Sequence, residues 1–160
     1  MTLIWTKGLF SSTYKIQRNG ESIGYFKSSS WSSNAGGVLN EQKVSFKPRG
    51  VFSSTVDIFD INTKKRIGEI RTKAFSLNRI LKFGNDTLYL FSRGFFSKKW
   101  ILKDKDITLV EYKARETKGE IKTSDKADDV MILAGLYGIN QYYEYIAVVI
   151  VITIAIVASQ

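Results

Sequence analysis

The sequence predicts a mainly β fold: a closed antiparallel barrel of about 12 strands around a hydrophobic C-terminal helix. Three observations predict it. Thr2 to Thr123 is a run of short β-type segments separated by turn signals, with one proline and no sustained helical periodicity. Val130–Ile139 is apolar on every side, so no face of that helix suits water. The order is all the strands first and then the helix. A helix without a polar face fits inside a barrel, where inward side chains of the strands cover it.

Along the chain, Thr13–Arg18 (TYKIQR) alternates, Asn19-Gly20 is a hairpin signal, and Ser22–Lys27 (SIGYFK) answers it. Ser28–Gly37 is small and polar and reads as a loop with Trp31 as its anchor. Val38–Lys47 and Val51–Phe59 read as strands flanking Pro48-Arg49-Gly50, and Asp60–Lys64 as a turn into Arg66–Arg71. Leu77–Phe83, a Gly84-Asn85-Asp86 turn and Thr87–Ser92 follow. Trp100–Lys103, Thr108–Lys113 and Gly119–Thr123 complete eleven or twelve strands. The N-terminal MTLIWTKGLF lacks a basic region followed by an apolar core, so it does not read as a signal peptide.

The helix should start near residue 126 and run to Glu144. Ser124 or Asp125 is placed to cap it, and Asp128 and Asp129 lie at the positive end of its dipole. Val130, Met131, Leu133, Leu136 and Tyr137 are its expected core residues. Ala134, Gly135 and Gly138 suggest close approach of other backbone, since each glycine costs about 1 kcal/mol in a helix. Asn140, Gln141 and Glu144 then interrupt the apolar run. Beyond them Tyr145–Gln160 is a separate hydrophobic tail, with Ile146, Val149, Ile150, Ile154 and Val157 as membrane-facing residues. Counted from Tyr142 the apolar run is about 25 Å long, against about 30 Å of hydrocarbon in a bilayer. The expected division is a barrel with its helix over 1–144 and the tail over 145–160.

Charge follows the same division. Residues 1–126 carry 24 basic and 12 acidic groups, and the remainder carries three acidic ones, for a net +9. A basic body joined to an oily tail suits an anionic membrane surface at least as well as nucleic acid. The chain has no cysteine and no histidine, which excludes disulfides, thiol chemistry, histidine general bases and histidine or cysteine metal ligands. Asp57/Asp60 and Asp104/Asp106 are read as falling in turns, where aspartate serves the backbone, so no metal site is read. Asn34-Ala35-Gly36-Gly37 lacks the spacing of a phosphate loop. No catalytic residue and no cofactor is expected.

The helix segment Ala127-Asp128-Asp129-Val130-Met131-Ile132-Leu133-Ala134-Gly135-Leu136-Tyr137-Gly138-Ile139-Asn140-Gln141-Tyr142-Tyr143-Glu144 is similar to the C-terminal helix of phospholipid scramblases. TYKIQRNGESIGYF and LYLFSRGFFSKKWILKD resemble the first hairpin and the aromatic-basic strands of the same group. The chain as a whole thus resembles the tubby C-terminal-like superfamily, which includes the scramblases and LURP-one-related proteins. It departs in lacking calcium-binding and cysteine-rich features, and in running on through Tyr145–Ala158. The resemblance implies a barrel threaded by a helix, and basic side chains on the barrel that bind anionic lipid headgroups. Candidates are Lys64, Lys65 and Arg66; Arg71 and Lys73; Arg79 and Lys82; and Arg93, Lys98 and Lys99. The simpler reading of these residues is solvation of strand faces. The aromatics among them, Phe91 through Trp100, suit a nucleic-acid stacking platform less well than core or a membrane-interface belt.

The expected function is therefore a non-enzymatic, membrane-associated module that binds anionic phospholipid, with its barrel on the cytoplasmic side. The alternative is a soluble structural or protein-interaction domain whose tail is buried in its own core or in a dimer.

Overall fold

The chain turns at positions where the backbone adopts left-handed dihedrals at small cost. Asn19 (φ 53) and Gly20 (φ 86) reverse the first hairpin, Asn40 (φ 50) the next, and Lys64 (φ 59), Gly84 (φ 58) and Lys105 (φ 50) three more. A computed structural model describes residues 1–9, 11–29, 34–50, 54–72, 78–92, 94, 98–115 and 117–159. Its strands are β1 (Thr2–Thr6), β2 (Thr13–Arg18), β3 (Glu21–Ser28), β4 (Ala35–Leu39), β5 (Gln42–Pro48) and β6 (Thr55–Asp60). They continue as β7 (Arg66–Thr72), β8 (Arg79–Phe83), β9 (Asp86–Ser92), β10 (Lys99–Asp104), β11 (Ile107–Ala114) and β12 (Lys118–Thr123), before α1 (Asp129–Ala158).

Each strand pairs antiparallel with its neighbours in sequence. The barrel closes where β1 meets β12, from Thr2 opposite Lys122 to Thr6 opposite Lys118. Closure leaves no edge strand for another chain to pair with. Alternate residues point inward, as with Tyr14 and Ile16, Val44 and Phe46, Leu88 and Leu90, Trp100 and Leu102. These residues form one core cluster with Ile132, Leu133 and Tyr137 of the helix.

The strand reading needs two corrections. Residues 35–37 are strand rather than loop, and 38–47 is not one strand but two, reversing at Asn40-Glu41. The glycines that suggested a loop have a packing reason: a Cβ on Gly37 would lie 2.9 Å from Leu133 Cδ2, so the strand carries glycine where the helix comes close. Trp31 and Val51–Ser53 lie outside the described residues.

The helix needs three more. Its N-cap is Asp128, in extended conformation (φ −97, ψ 171), whose carboxylate accepts from the Met131 N–H at 2.7 Å. Ser124 and Asp125 are too early by one turn. Val130 and Met131 are half-buried at the mouth, and full enclosure begins at Ile132. Close approach at the helical glycines is by side chains, not backbone: Cβ atoms on Gly135 and Gly138 would meet the Tyr112 hydroxyl and Leu90 Cδ2.

The 30-residue helix is about 45 Å long, more than the barrel can hold. Ile132–Asn140 and Tyr142 are buried, and the helix then continues unbroken out of the barrel. The expected division at 144/145 falls inside this one helix. The tail does not fold back into the core: Tyr145, Val149, Ile150, Ile154 and Val157 are 40–68% exposed, and only Ile146 is partly packed against the barrel.

Candidate functional site

Strand direction gives the barrel two unlike ends. The helix starts at one, together with the connections 19–20, 40–41, 61–65, 84–85 and 105–106. It leaves through the other, the exit end, where the connections 7–12, 29–34, 49–54, 73–78 and 93–98 are six residues apiece and 115–117 is three. By sequence the exit-end connections carry six basic residues (Lys7, Arg49, Lys73, Arg93, Lys98 and Arg115) against one acidic residue, Glu116. They also carry six aromatics: Phe10, Trp31, Phe52, Phe75, Phe95 and Phe96. The tight-turn end, counting 124–128, has four basic and four acidic residues and no aromatic. Among the described residues of the exit-end connections Lys7, Arg49, Lys98 and Arg115 are basic and none is acidic, so positive charge predominates where the apolar helix emerges.

The emerging helix is held by polar contacts to the barrel wall. Tyr14 on β2 donates its hydroxyl to Asn140 Oδ1 at 2.9 Å, and Asn140 Nδ2 donates to Glu144 Oε1 at 2.8 Å. Burial, with the nearby Glu144 charge, pushes the Tyr14 phenol up to about 12, so it stays a donor at neutral pH. Lys7 lies 4.8 Å from the centre of the Tyr14 ring, a cation–π arrangement. Past Glu144 the tail bears no charge; of its two hydroxyls before the cap, Tyr145 stands exposed at its base and Thr153 donates back to the Val149 carbonyl at 2.8 Å. Between Ile146 and Ala158 the described tail therefore shows no unsatisfied polar side chain to its surroundings, as a lipid-exposed helix requires.

A cavity of about 730 Å³ opens at the exit end between α1 and strands β1, β2 and β11. Trp5, Tyr112, Leu136 and Ile139 form its apolar wall, and Ser11, Ser12 and Ser28 add hydroxyls. Lys7, Lys98 and Arg115 stand around it.

The structure does not bring the sequence-predicted cations together. Lys98 and Lys99 are exposed at the exit end. Lys64 and Lys65 are exposed at the opposite end, about 20 Å away along a strand of six residues. Arg66 and Arg71 are engaged in ion pairs on the outer wall: Arg66 with Asp57 and Glu69, and Arg71 with Glu69. Arg49 joins both carboxylates, making three arginines around two acids. The Arg49 hydrogen bond, reinforced by Arg66, holds the Asp57 carboxyl down at about 2 against the opposing effect of burial. Glu69 is also held below the usual range: burial opposes this, but the Arg71 hydrogen bond and the surrounding positive charge outweigh it.

Arg79 is not an outer-surface residue. It is 5% exposed, its Cγ packs near Gly138 inside the barrel, and burial lowers its pKa. Lys82 is half-buried on β8 toward the tight-turn end. Lys73 and Arg93, with Phe95 and Phe96, lie outside the described residues. Of the proposed stacking aromatics, Trp100 is fully buried against Tyr142, and Lys103 covers Phe91 at 5.7 Å. Asp60 accepts from the Thr63 N–H and stabilises its own turn.

No protein-family model, curated protein or solved structure matches this chain. Function must come from the geometry.

Sequence reasoning missed Lys7, Tyr14 and Arg115. For Lys7 the signal was a recurring run of basic residue, glycine, apolar residue, Phe and Ser: Lys7-Gly8-Leu9-Phe10-Ser11, Arg49-Gly50-Val51-Phe52-Ser53 and Arg93-Gly94-Phe95-Phe96-Ser97; Tyr14 and Arg115 have no such signal. Each run falls in an exit-end connection.

Proposed function

We propose that this chain is a non-enzymatic, membrane-anchored module of tubby-like kind, standing exit end down on an anionic bilayer and binding phospholipid there. One observation carries the reading. A single end of the barrel combines an exposed apolar helix, entered by the exposed Tyr143 and Tyr145, with four basic and no acidic residues among the described residues of its connections. Aromatic residues settle at headgroup level, and each basic residue near an anionic leaflet contributes about 1 kcal/mol. The barrel-around-helix architecture, which the scramblase and tubby resemblance implies, supports the same reading. Asp129–Ala158 is long and apolar enough to cross a membrane. The fourteen residues from Tyr145 to Ala158 give about 21 Å, enough for one leaflet and part of the next. Lipid engagement is then by Lys7, Lys98, Lys99 and Arg115 rather than Lys64 and Lys65.

Vesicle flotation tests this. The full chain should float with both neutral and anionic vesicles and remain bound in high salt. A chain ending at Glu144 should float only with anionic vesicles at low salt, because exposed charges are screened over about 8–10 Å. Replacing Lys7, Lys98 and Arg115 with Gln should abolish that residual binding, and replacing Lys64 and Lys65 should not. A full chain that stays in the aqueous fraction without detergent contradicts the proposal.

A further inference from the structure

The cavity at the exit end is too large to be a packing defect. Voids in protein cores are few and about the size of a water molecule, whereas about 730 Å³ lies within the range of about 300–1,000 Å³ typical of ligand pockets. Its lining is ordered by depth. Trp5 is 4% exposed and Tyr112, Leu136 and Ile139 are 1–5% exposed, so the inner wall is core surface left uncovered rather than outer face. Tyr14 and Asn140, already bonded to each other, supply the polar atoms part-way out.

Charge marks the opening. Lys98 and Arg115 are exposed and Lys7 half-exposed; among the described lining residues the one carboxylate is Glu144, whose Oε1 already accepts from Asn140. Among the described residues none of the three cations is in a salt bridge. The contrast is with the outer wall, where Arg49, Arg66 and Arg71 have Asp57 and Glu69. The lining also continues onto Ile146 and Ala147, the first turn of the exposed tail. The cavity is therefore open along the path by which the helix leaves.

We infer that this cavity is a binding site for one anionic, single-chain amphiphile, whose acyl chain lies against Trp5, Leu136 and Ile139 while its carboxylate or phosphate meets Lys7, Lys98 and Arg115. Apolar depth accounts for the chain, cations outside any salt bridge among the described residues for the head, and continuity with Ile146 for delivery from the bilayer. A neutral apolar ligand would leave three cations without a counter-charge. A soluble anion such as free phosphate would leave the Trp5–Leu136–Ile139 wall bare. The inference rests on the membrane reading, because the ligand arrives by way of the tail.

Photo-crosslinking tests it in the full chain held in phosphatidylcholine nanodiscs. The probe is a long-chain fatty acid with a diazirine near its methyl end, and adducts are mapped by mass spectrometry. Labelling is expected on Leu136, Ile139 or Trp5, and also on the tail around Ile150–Ile154. Replacing Lys7, Lys98 and Arg115 together with Gln should lower cavity labelling about tenfold and leave tail labelling unchanged. These are surface residues, so the variant should fold. The matching fatty alcohol should label the tail but not the cavity. Excess unlabelled oleate or lysophosphatidate should compete, and the stronger competitor identifies the head as carboxylate or phosphate. Tail labelling without cavity labelling overturns this inference and spares the membrane reading. Cavity labelling that is equal for acid and alcohol, or indifferent to the triple substitution, overturns the anionic assignment. Labelling of neither the cavity nor the tail fails the membrane reading itself.

Discussion

At the scale of single residues, Gly135 and Tyr112 decide how close wall and helix can come. Tyr112 on β11 is buried and donates its hydroxyl to the Ile132 carbonyl at 3.1 Å, in the space a larger residue at 135 would need. A Cβ there would lie 2.0 Å from that oxygen. Alanine favours helix by about 1 kcal/mol over glycine, while overpacking costs about 1–3 kcal/mol, so the clash wins. Gly135→Ala should therefore lower the melting temperature by several degrees. In a Tyr112→Val background the same substitution should raise it, and a double-mutant cycle without coupling would contradict the account. Asp57 makes a second prediction. Its folded pKa is lowered from 3.8 to about 2, so its contribution is complete above 3.8 and lost as pH falls through about 2. Asp57→Asn should cost about 1–3 kcal/mol at neutral pH. The gap between mutant and wild-type melting temperatures should narrow steadily between pH 4 and pH 2. A gap that is constant with pH would count against the ion pairs.

At the scale of elements, the helix has two parts with different environments and one backbone. Leu133 is fully buried and Ile146 only partly, so their loss should differ in kind. Ending the chain at Glu144 removes at most part of the burial of Ile146. Full burial of such a side chain is worth about 1.5–3 kcal/mol, so the cost should stay below about 2 kcal/mol. Leu133→Asp, which puts an unpartnered charge at the centre, should unfold the barrel. Urea titrations of both variants check this. A shortened chain that cannot fold would mean that the tail belongs to the core.

Much of the element order was legible in sequence because strands and hairpins are local. Asn19-Gly20 and Gly84-Asn85 mark their own reversals, and Val130–Ile139 announces its enclosure by lacking a polar face. The β4–β5 hairpin was not legible, because Gly36 and Gly37 imitate a loop while Gly37 answers to Leu133, a residue about a hundred positions away. That one merger had a wide consequence. Each strand reverses the chain, so fusing two strands exchanges the ends to which all later connections belong. Lys7, which precedes the merger, was thereby set at the opposite end from Lys98 and Arg115, which follow it, and the concentration of charge at the exit end stayed hidden. The pairing of Arg66 with Asp57 was beyond reach for a similar reason, since cross-strand neighbours depend on register.

At the scale of the whole molecule the account makes one central claim: the barrel meets the bilayer by its exit end. The chain has no cysteine, so a single cysteine can carry a nitroxide label at a chosen position. Lys98 and Lys105 lie just beyond opposite ends of β10, about 20 Å apart, which is more than a screening length. The deciding measurement is the electron paramagnetic resonance accessibility of labels at Lys98→Cys, Lys105→Cys and Val151→Cys in anionic bilayers, using oxygen as the lipid-phase relaxant and a nickel chelate as the aqueous one. The account predicts Val151 in hydrocarbon, Lys98 at headgroup depth and Lys105 in bulk water. Lys98 and Lys105 equally open to the nickel chelate, or Val151 in water, would contradict it.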